Sequence, residues 1–194
     1  MSDEQQKALK ALNDKMASAT DGWLGYWDAF SDFDTWQFWV NLFLFFAPLV
    51  VLFLVLDRSK AFRIGFFGLA IHMISVYVDT FGTTHGFWEY PYKWFPFLTV
   101  SLGLDASLIP VSYMLLYQWT LSRNKNYYVW MIGLALLFSF GFKPLLSALD
   151  LFQLYRGTNY FHLLLLYTGG GLIAKWITEG FERFQDRASR TSRA

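Results

Sequence analysis

The apolar positions of this chain come in long blocks rather than in alternation. Blocks at 38–56, 64–81, about 105–121, 127–149 and 160–177 are nearly free of charge, and a short apolar piece at 97–104 precedes the third. A helix needs about 20 mostly apolar residues to cross lipid. The pattern therefore predicts an all-α membrane protein, a five-transmembrane-helix bundle over 36–178. An N-terminal amphipathic and interfacial segment (1–35) precedes it, and a basic tail (179–194) follows.

The N-terminal segment divides in two. Ser2 and Gln5 stand at capping-box spacing, and Gln5, Leu9, Leu12 and Met16 recur at helical spacing, so 2–19 reads as a thin amphipathic helix. From Gly22 to Trp39 rings alternate with carboxylates: Trp23, Tyr26, Trp27, Phe30, Phe33, Trp36 and Trp39 among Asp28, Asp32 and Asp34. Such rings have an apolar body and a polar edge and favour the headgroup layer.

Within the spans the exceptions carry the information. The first holds Asn41 and Pro48, which need neighbours because lipid offers no hydrogen bonds. In the second, His72, Ser75, Val76 and Asp79 share one face, which should look into the bundle. Gly103, Asp105 and Pro110 cluster as punctuation, so Asp105 or Ser107 is expected to cap the third span; the alternative is one unbroken span from Phe97 with Asp105 buried. The fourth carries Lys143-Pro144. A mid-depth lysine costs about 2.5–3.5 kcal/mol, which eleven Leu, Ile, Phe and Val residues between Val129 and Leu149 offset. The fifth has His162 near its start and the flexible run Gly169-Gly170-Gly171 in its middle.

Composition sharpens this picture. Charged residues make up 16% against about 25% in soluble proteins, aromatics reach 21%, and net charge is only +1, so no overall field favours nucleic acid. The absence of cysteine removes disulfides and thiolate chemistry. The first 20 residues lack a basic-then-apolar leader, so the first span is expected to direct insertion. Five spans put ten Lys and Arg residues on one face and five on the other (Lys7, Lys10, Lys15, Lys93 and Arg156), with Lys143 inside. The richer face should be cytoplasmic, which places the C-terminus inside the cell and the N-terminus outside. Arg183, Arg187, Arg190 and Arg193 of the tail then suit anionic lipid.

With that orientation the ionisable groups of separate segments gather at the outer rim: Asp79, His85, Glu89, Lys93, Asp105, Lys143 and His162, with His72 nearer mid-depth. The aromatic loop Trp88-Glu89-Tyr90-Pro91-Tyr92 covers them. Three arrangements fit. Lys143 snorkels while Asp105 and Asp150 cap helices and His72 is a neutral core histidine. Or Lys143 pairs directly with Asp79 or Asp105. Or the cluster binds a ligand, relays protons or holds a divalent metal. His85-Gly-Phe-Trp-Glu89 would suit a metal only as a helix, which Gly86 and Pro91 oppose. No nucleophile–base pattern or phosphate loop is present, and no catalytic residue, metal site or cofactor is assigned. The expected role is a non-enzymatic binding, sensing or assembly component of the cell membrane. The alternatives are part of a transporter or permease, or an intramembrane enzyme acting on a lipid or isoprenoid.

The string Asp79-x-x-Gly82, Gly86-Phe-Trp88-Glu89-Tyr90-Pro91-Tyr92-Lys93, Pro96, then Asp105-x-Ser107-x-x-Pro110-Val-x-Tyr113-Met-x-x-Tyr117-Gln118 resembles a family of small multi-pass membrane proteins of unknown function from spore-forming Gram-positive bacteria. The likeness extends from about Asp57 to Ile177. It implies a bacterial plasma-membrane protein and brings no activity, substrate or catalytic residue. Where that family carries a glutamate before the proline of the fourth span, this chain has Lys143.

Overall fold

Ser2 starts the first helix as its spacing predicts, its hydroxyl accepting from the Gln5 N–H. In the computed structural model, which describes residues 1–191, α1 then runs unbroken over Asp3–Phe30. The helix thus continues past Ala19 and takes in the first part of the ring-rich stretch, Gly22–Phe30. Gly22 and Gly25 do not interrupt it, since a glycine in an exposed helix costs only about 1 kcal/mol. The chain turns at 31–35, and α2 (Trp36–Val55) takes Trp36 and Trp39 into its own first turn.

The remaining helices are α3 (Ala61–Thr84), α4 (Ile109–Ser122), α5 (Tyr127–Leu136), α6 (Lys143–Ala148) and α7 (Tyr160–Thr191). A π-helical turn, Leu137–Phe142, joins α5 and α6 into one continuous helix. Three helices are long and apolar enough to cross a membrane: Trp36–Val55, Arg58–Thr84 and Tyr127–Ala148. Their side chains agree with lipid rather than water as the surrounding solvent. Phe53 and Leu54, for example, are 75% and 73% exposed. The expected third and fifth spans do not reach that standard. α4 is short, and α7 dilutes its apolar half with His162, three glycines and Lys175. Both nevertheless lie along α3.

The third segment corrects the capping expectation. Its helix starts at Leu102, passes through a π-helical turn over Gly103–Leu108, and continues into α4. Asp105 and Ser107 are therefore buried inside a helix instead of capping one, while 97–101 stays non-helical. Pro110 explains the wide turn. A proline clashes with the carbonyl four residues back and has no N–H to donate. The wide turn shifts the bonding so that Ile109 N–H reaches Leu104 O, and the carbonyl of Asp105, five residues before Pro110, is left without a backbone donor. Pro144 stands in the same relation to the turn at Leu137–Phe142, where Lys143 N–H reaches Phe138 O.

Close packing requires small residues at two crossings. A Cβ on Gly103 would lie 2.9 Å from the Asn41 carbonyl, so this glycine sets the approach of the π turn to α2. The glycine run of α7 is ordinary helix. A side chain at Gly171 would strike Tyr113 and Met131. Carbonyls of this part of α7 serve as acceptors: Tyr113 donates to Tyr167 O and Tyr127 to Gly171 O. Phe67 stacks on Tyr117 at 4.4 Å and meets Tyr127 edge-on, filling that half of the bundle with rings.

The other half is closed by a ribbon absent from the expected all-helical plan. Trp88–Glu89 pairs antiparallel with Gln153–Leu154, Trp88 opposite Leu154 and Glu89 opposite Gln153. α7 continues as helix into the expected basic tail. Glu182 pairs with Arg63, which ties the extension to α3, while Lys175 pairs with Glu179 along α7 itself. Arg183 and Arg187 lie on this extension. Arg193 and the side chain of Arg190 fall outside the described residues.

Candidate functional site

Successive residues of a strand point to opposite faces, and the ribbon uses this to sort its side chains. Trp88 and Tyr90 point into the bundle and are buried; Glu89 lies on the other face. Gly82 admits the indole, since a Cβ there would fall within the Trp88 ring. Both inward side chains end on Asp79. Trp88 Nε1 and Tyr90 OH each donate to Oδ1 at 2.7 Å, and the Ser101 N–H donates to Oδ2 at 3.2 Å. Asp79 is thus a buried acceptor that pins α3 to the ribbon and to the start of the next segment.

Lys143 approaches from the α5–α6 helix. Its ammonium donates to Tyr90 OH at 3.1 Å and lies 3.7 Å from the centre of the Phe152 ring and 4.8 Å from that of Tyr90. Among the described residues it forms no direct ion pair with Asp79 or Asp105. The expected contact is replaced by a relay in which the Tyr90 hydroxyl accepts from Lys143 and donates to Asp79. Two ring faces complete the surroundings, an arrangement favourable to a desolvated cation.

Asp105 is the third member. Asp79, Asp105 and Lys143 are only 5%, 3% and 3% exposed. Asp105 Oδ2 has no hydrogen-bond partner. Its orphaned backbone carbonyl is met by His72 Nδ1 at 2.8 Å, which as a donor to a carbonyl must carry the proton. His72 is thus the core histidine satisfied by a carbonyl, one of the roles its position allowed. Asp79, Asp105 and Lys143 line a cavity of about 50 Å³ that opens toward the crevice between α3 and α7, with Tyr113 and Tyr167 also on its wall. That is room for about three waters.

The remaining rim residues lie elsewhere. His85 is exposed, bonded to Phe81 O and resting on the Phe81 ring. His162 sits at the start of α7, where its Nδ1 accepts from Asn159 N–H. Among the described residues, no three histidine or carboxylate side chains converge as a metal-binding set. Tyr92 and Lys93 anchor the loop through their backbones. Asn41 Nδ2 donates to Tyr92 O, Trp27 Nε1 donates to Lys93 O at 2.7 Å, and Lys93 N–H donates to Ser31 Oγ. Pro91 faces α1 across a separate cleft. Phe152 and Ser101 escaped the sequence reading because an apolar ring and a backbone amide give no polar signal. The alternation of Trp88, Tyr90 and Tyr92 was the available sign of the ribbon.

Glu89 and Lys93 pair at 3.4 Å on the outer face of the ribbon, and Lys93 also donates to Thr99 O and lies over Trp23. Burial pushes the Glu89 carboxyl above its ordinary value of 4.5, with Lys93 opposing. Burial likewise draws the Lys93 ammonium down, with Glu89 opposing. A carboxyl raised in the folded state supports folding fully below its unfolded value and loses that support as pH rises through the folded one. Glu89→Gln does not titrate. Its thermal midpoint relative to the native chain should therefore rise as pH increases from about 4 to 7, in parallel melts in detergent. A difference that is flat or falls would contradict this assignment.

No protein-family model, curated protein or solved structure matches this chain.

Proposed function

We propose that the chain is a five-span protein of the bacterial cell membrane, its N-terminus and ribbon outside and its C-terminus in the cytoplasm. In this reading α4 and α7 cross with the three more apolar helices because both pack along α3. Tyr113 and Thr120 of α4 and Thr178 of α7 then face protein rather than lipid, while His162 stands at the exposed start of α7. The excess of Lys and Arg at the end away from the ribbon gives the orientation.

The proposed role is non-enzymatic binding or sensing through the cavity beneath the ribbon. The observation that carries it is the unpartnered Asp105 Oδ2, buried at a cavity that Lys143 also lines. Buried carboxylate oxygens are ordinarily hydrogen-bonded, so an open one at a cavity is a place for a donor. A hydroxyl donates to a carboxylate and accepts from an ammonium, and so matches both groups. The ligand is a small uncharged molecule, or a lipid headgroup, bearing such a hydroxyl.

Transport is less well supported, because fully buried Phe67, Tyr117 and Met131 fill the other half of the bundle. An enzymatic reading would need His72, Asp79 and Glu89 to act together, whereas His72 is committed to a carbonyl and Glu89 faces away. The test is purification in mild detergent, followed by mass spectrometry of what co-purifies. The native chain should carry a hydroxyl-bearing molecule that Asp105→Leu has lost while keeping the same near-ultraviolet circular dichroism. An Asp105→Leu variant that loses no hydroxyl-bearing molecule carried by the native chain, or a native chain that carries none, would overturn the proposal.

A further inference from the structure

A second and larger concavity lies on the lipid-facing side of the α3–α7 crevice, at the ribbon end. It encloses about 660 Å³, within the range of small-molecule sites. Tyr77, Val78 and Phe81 of α3 form one wall, Leu165 and Leu166 of α7 the other, and Phe87 lies across the top. Nothing in these walls carries charge. The mouth is different, for Arg156 and His162 both border it.

Arg156 is held there by its backbone. It adopts φ +50°, a left-handed conformation unusual outside glycine, followed by Gly157 at φ +74°. Its guanidinium lies against Gly86, with Nε 3.5 Å from where a Cβ would stand. Among the described residues Arg156 forms no hydrogen bond and no ion pair, and it is exposed. His162 spends Nδ1 on the Asn159 amide, which leaves Nε2 free. The N-terminus of α7, at Tyr160, adds the positive end of a helix dipole beside them.

We propose that this groove holds one acyl chain of an anionic phospholipid, with the lipid phosphate on Arg156. The charge pattern selects this occupant. An apolar trough in the hydrocarbon layer topped by an unpaired guanidinium complements a molecule with an apolar tail and an anionic head. Arginine's planar fork suits phosphate oxygens in particular. The site is distinct from the Asp105 cavity, although Val78, Trp88 and Leu166 border both. It also lies at the opposite end of the bundle from Arg183 and Arg187.

The probe is the full chain in nanodiscs of phosphatidylcholine with phosphatidylglycerol, released and examined by native mass spectrometry. The native protein should retain one phosphatidylglycerol in preference to phosphatidylcholine. Arg156→Ala should reduce that retention about tenfold, the equivalent of one charge-assisted contact. Leu166→Trp, which fills the trough, should reduce it with Arg156 intact, and Arg123→Ala at the other end should leave it unchanged. Asp105→Leu, which tests the cavity, should also leave it unchanged, so the two sites fail separately. Equal loss in Arg156→Ala and Arg123→Ala, no preference for the anionic lipid, or a protein dimer with no lipid would each overturn the proposal.

Discussion

Asp79→Ala is expected to lower stability by about 3–5 kcal/mol, the range seen when one member of a buried charged network is removed. The side chain accepts from Trp88, Tyr90 and Ser101, and truncation strands all three donors away from water. Asp79→Asn should cost less, about 1.5–3 kcal/mol, since its carbonyl oxygen still accepts from the two rings while its amide meets the Ser101 N–H donor to donor. Denaturation in detergent followed by tryptophan fluorescence would rank the variants, and Trp88 should become accessible to quencher in the alanine variant. If alanine and asparagine were equally mild, Asp79 would not be the point at which ribbon and bundle are joined.

The second large effect concerns the balance of charge in the cavity. Lys143→Met keeps length and apolar volume but leaves two buried carboxylates, Asp79 and Asp105, with no cation facing them. The expected loss is again about 3–5 kcal/mol. The double variant Lys143→Met, Asp105→Asn removes one negative charge with the positive one and should recover at least half of it. Recovery would occur even though Lys143 touches neither carboxylate directly, because the interaction runs through space and through Tyr90 OH. Single and double variants that unfold together would show that Lys143 matters only for its contacts with Phe152 and Tyr90.

Much of this was legible in the pattern of residues. The helices at Trp36–Val55 and Tyr127–Ala148 follow predominantly apolar blocks, and Asp57 ends the first as expected, pairing with Lys60 and capping the short turn Arg58–Lys60. The convergence of Asp79, Asp105 and Lys143 was legible for a reason independent of fold: charges set in apolar helices must face one another or a cavity. What stayed hidden depends on contacts between distant segments. Two-residue strands such as Gln153–Leu154 carry too little periodicity to be seen. The π turns look like ordinary helix until the proline five residues beyond Asp105 or Ser139 is weighed against the hydrogen bonds it forbids. The relay through Tyr90 was out of reach, because it depends on which way a loop tyrosine turns.

Those two wide turns have a geometric corollary. Each amounts to one surplus residue in the winding, and one residue subtends about 100° of helical azimuth. The segments before and after Asp105, and before and after Ser139, therefore sit out of phase with each other. One helix can then aim an aromatic stripe inward over half its length and a charged group inward over the rest. A straight rod of the same composition would have had to turn either the rings or the charge toward hydrocarbon.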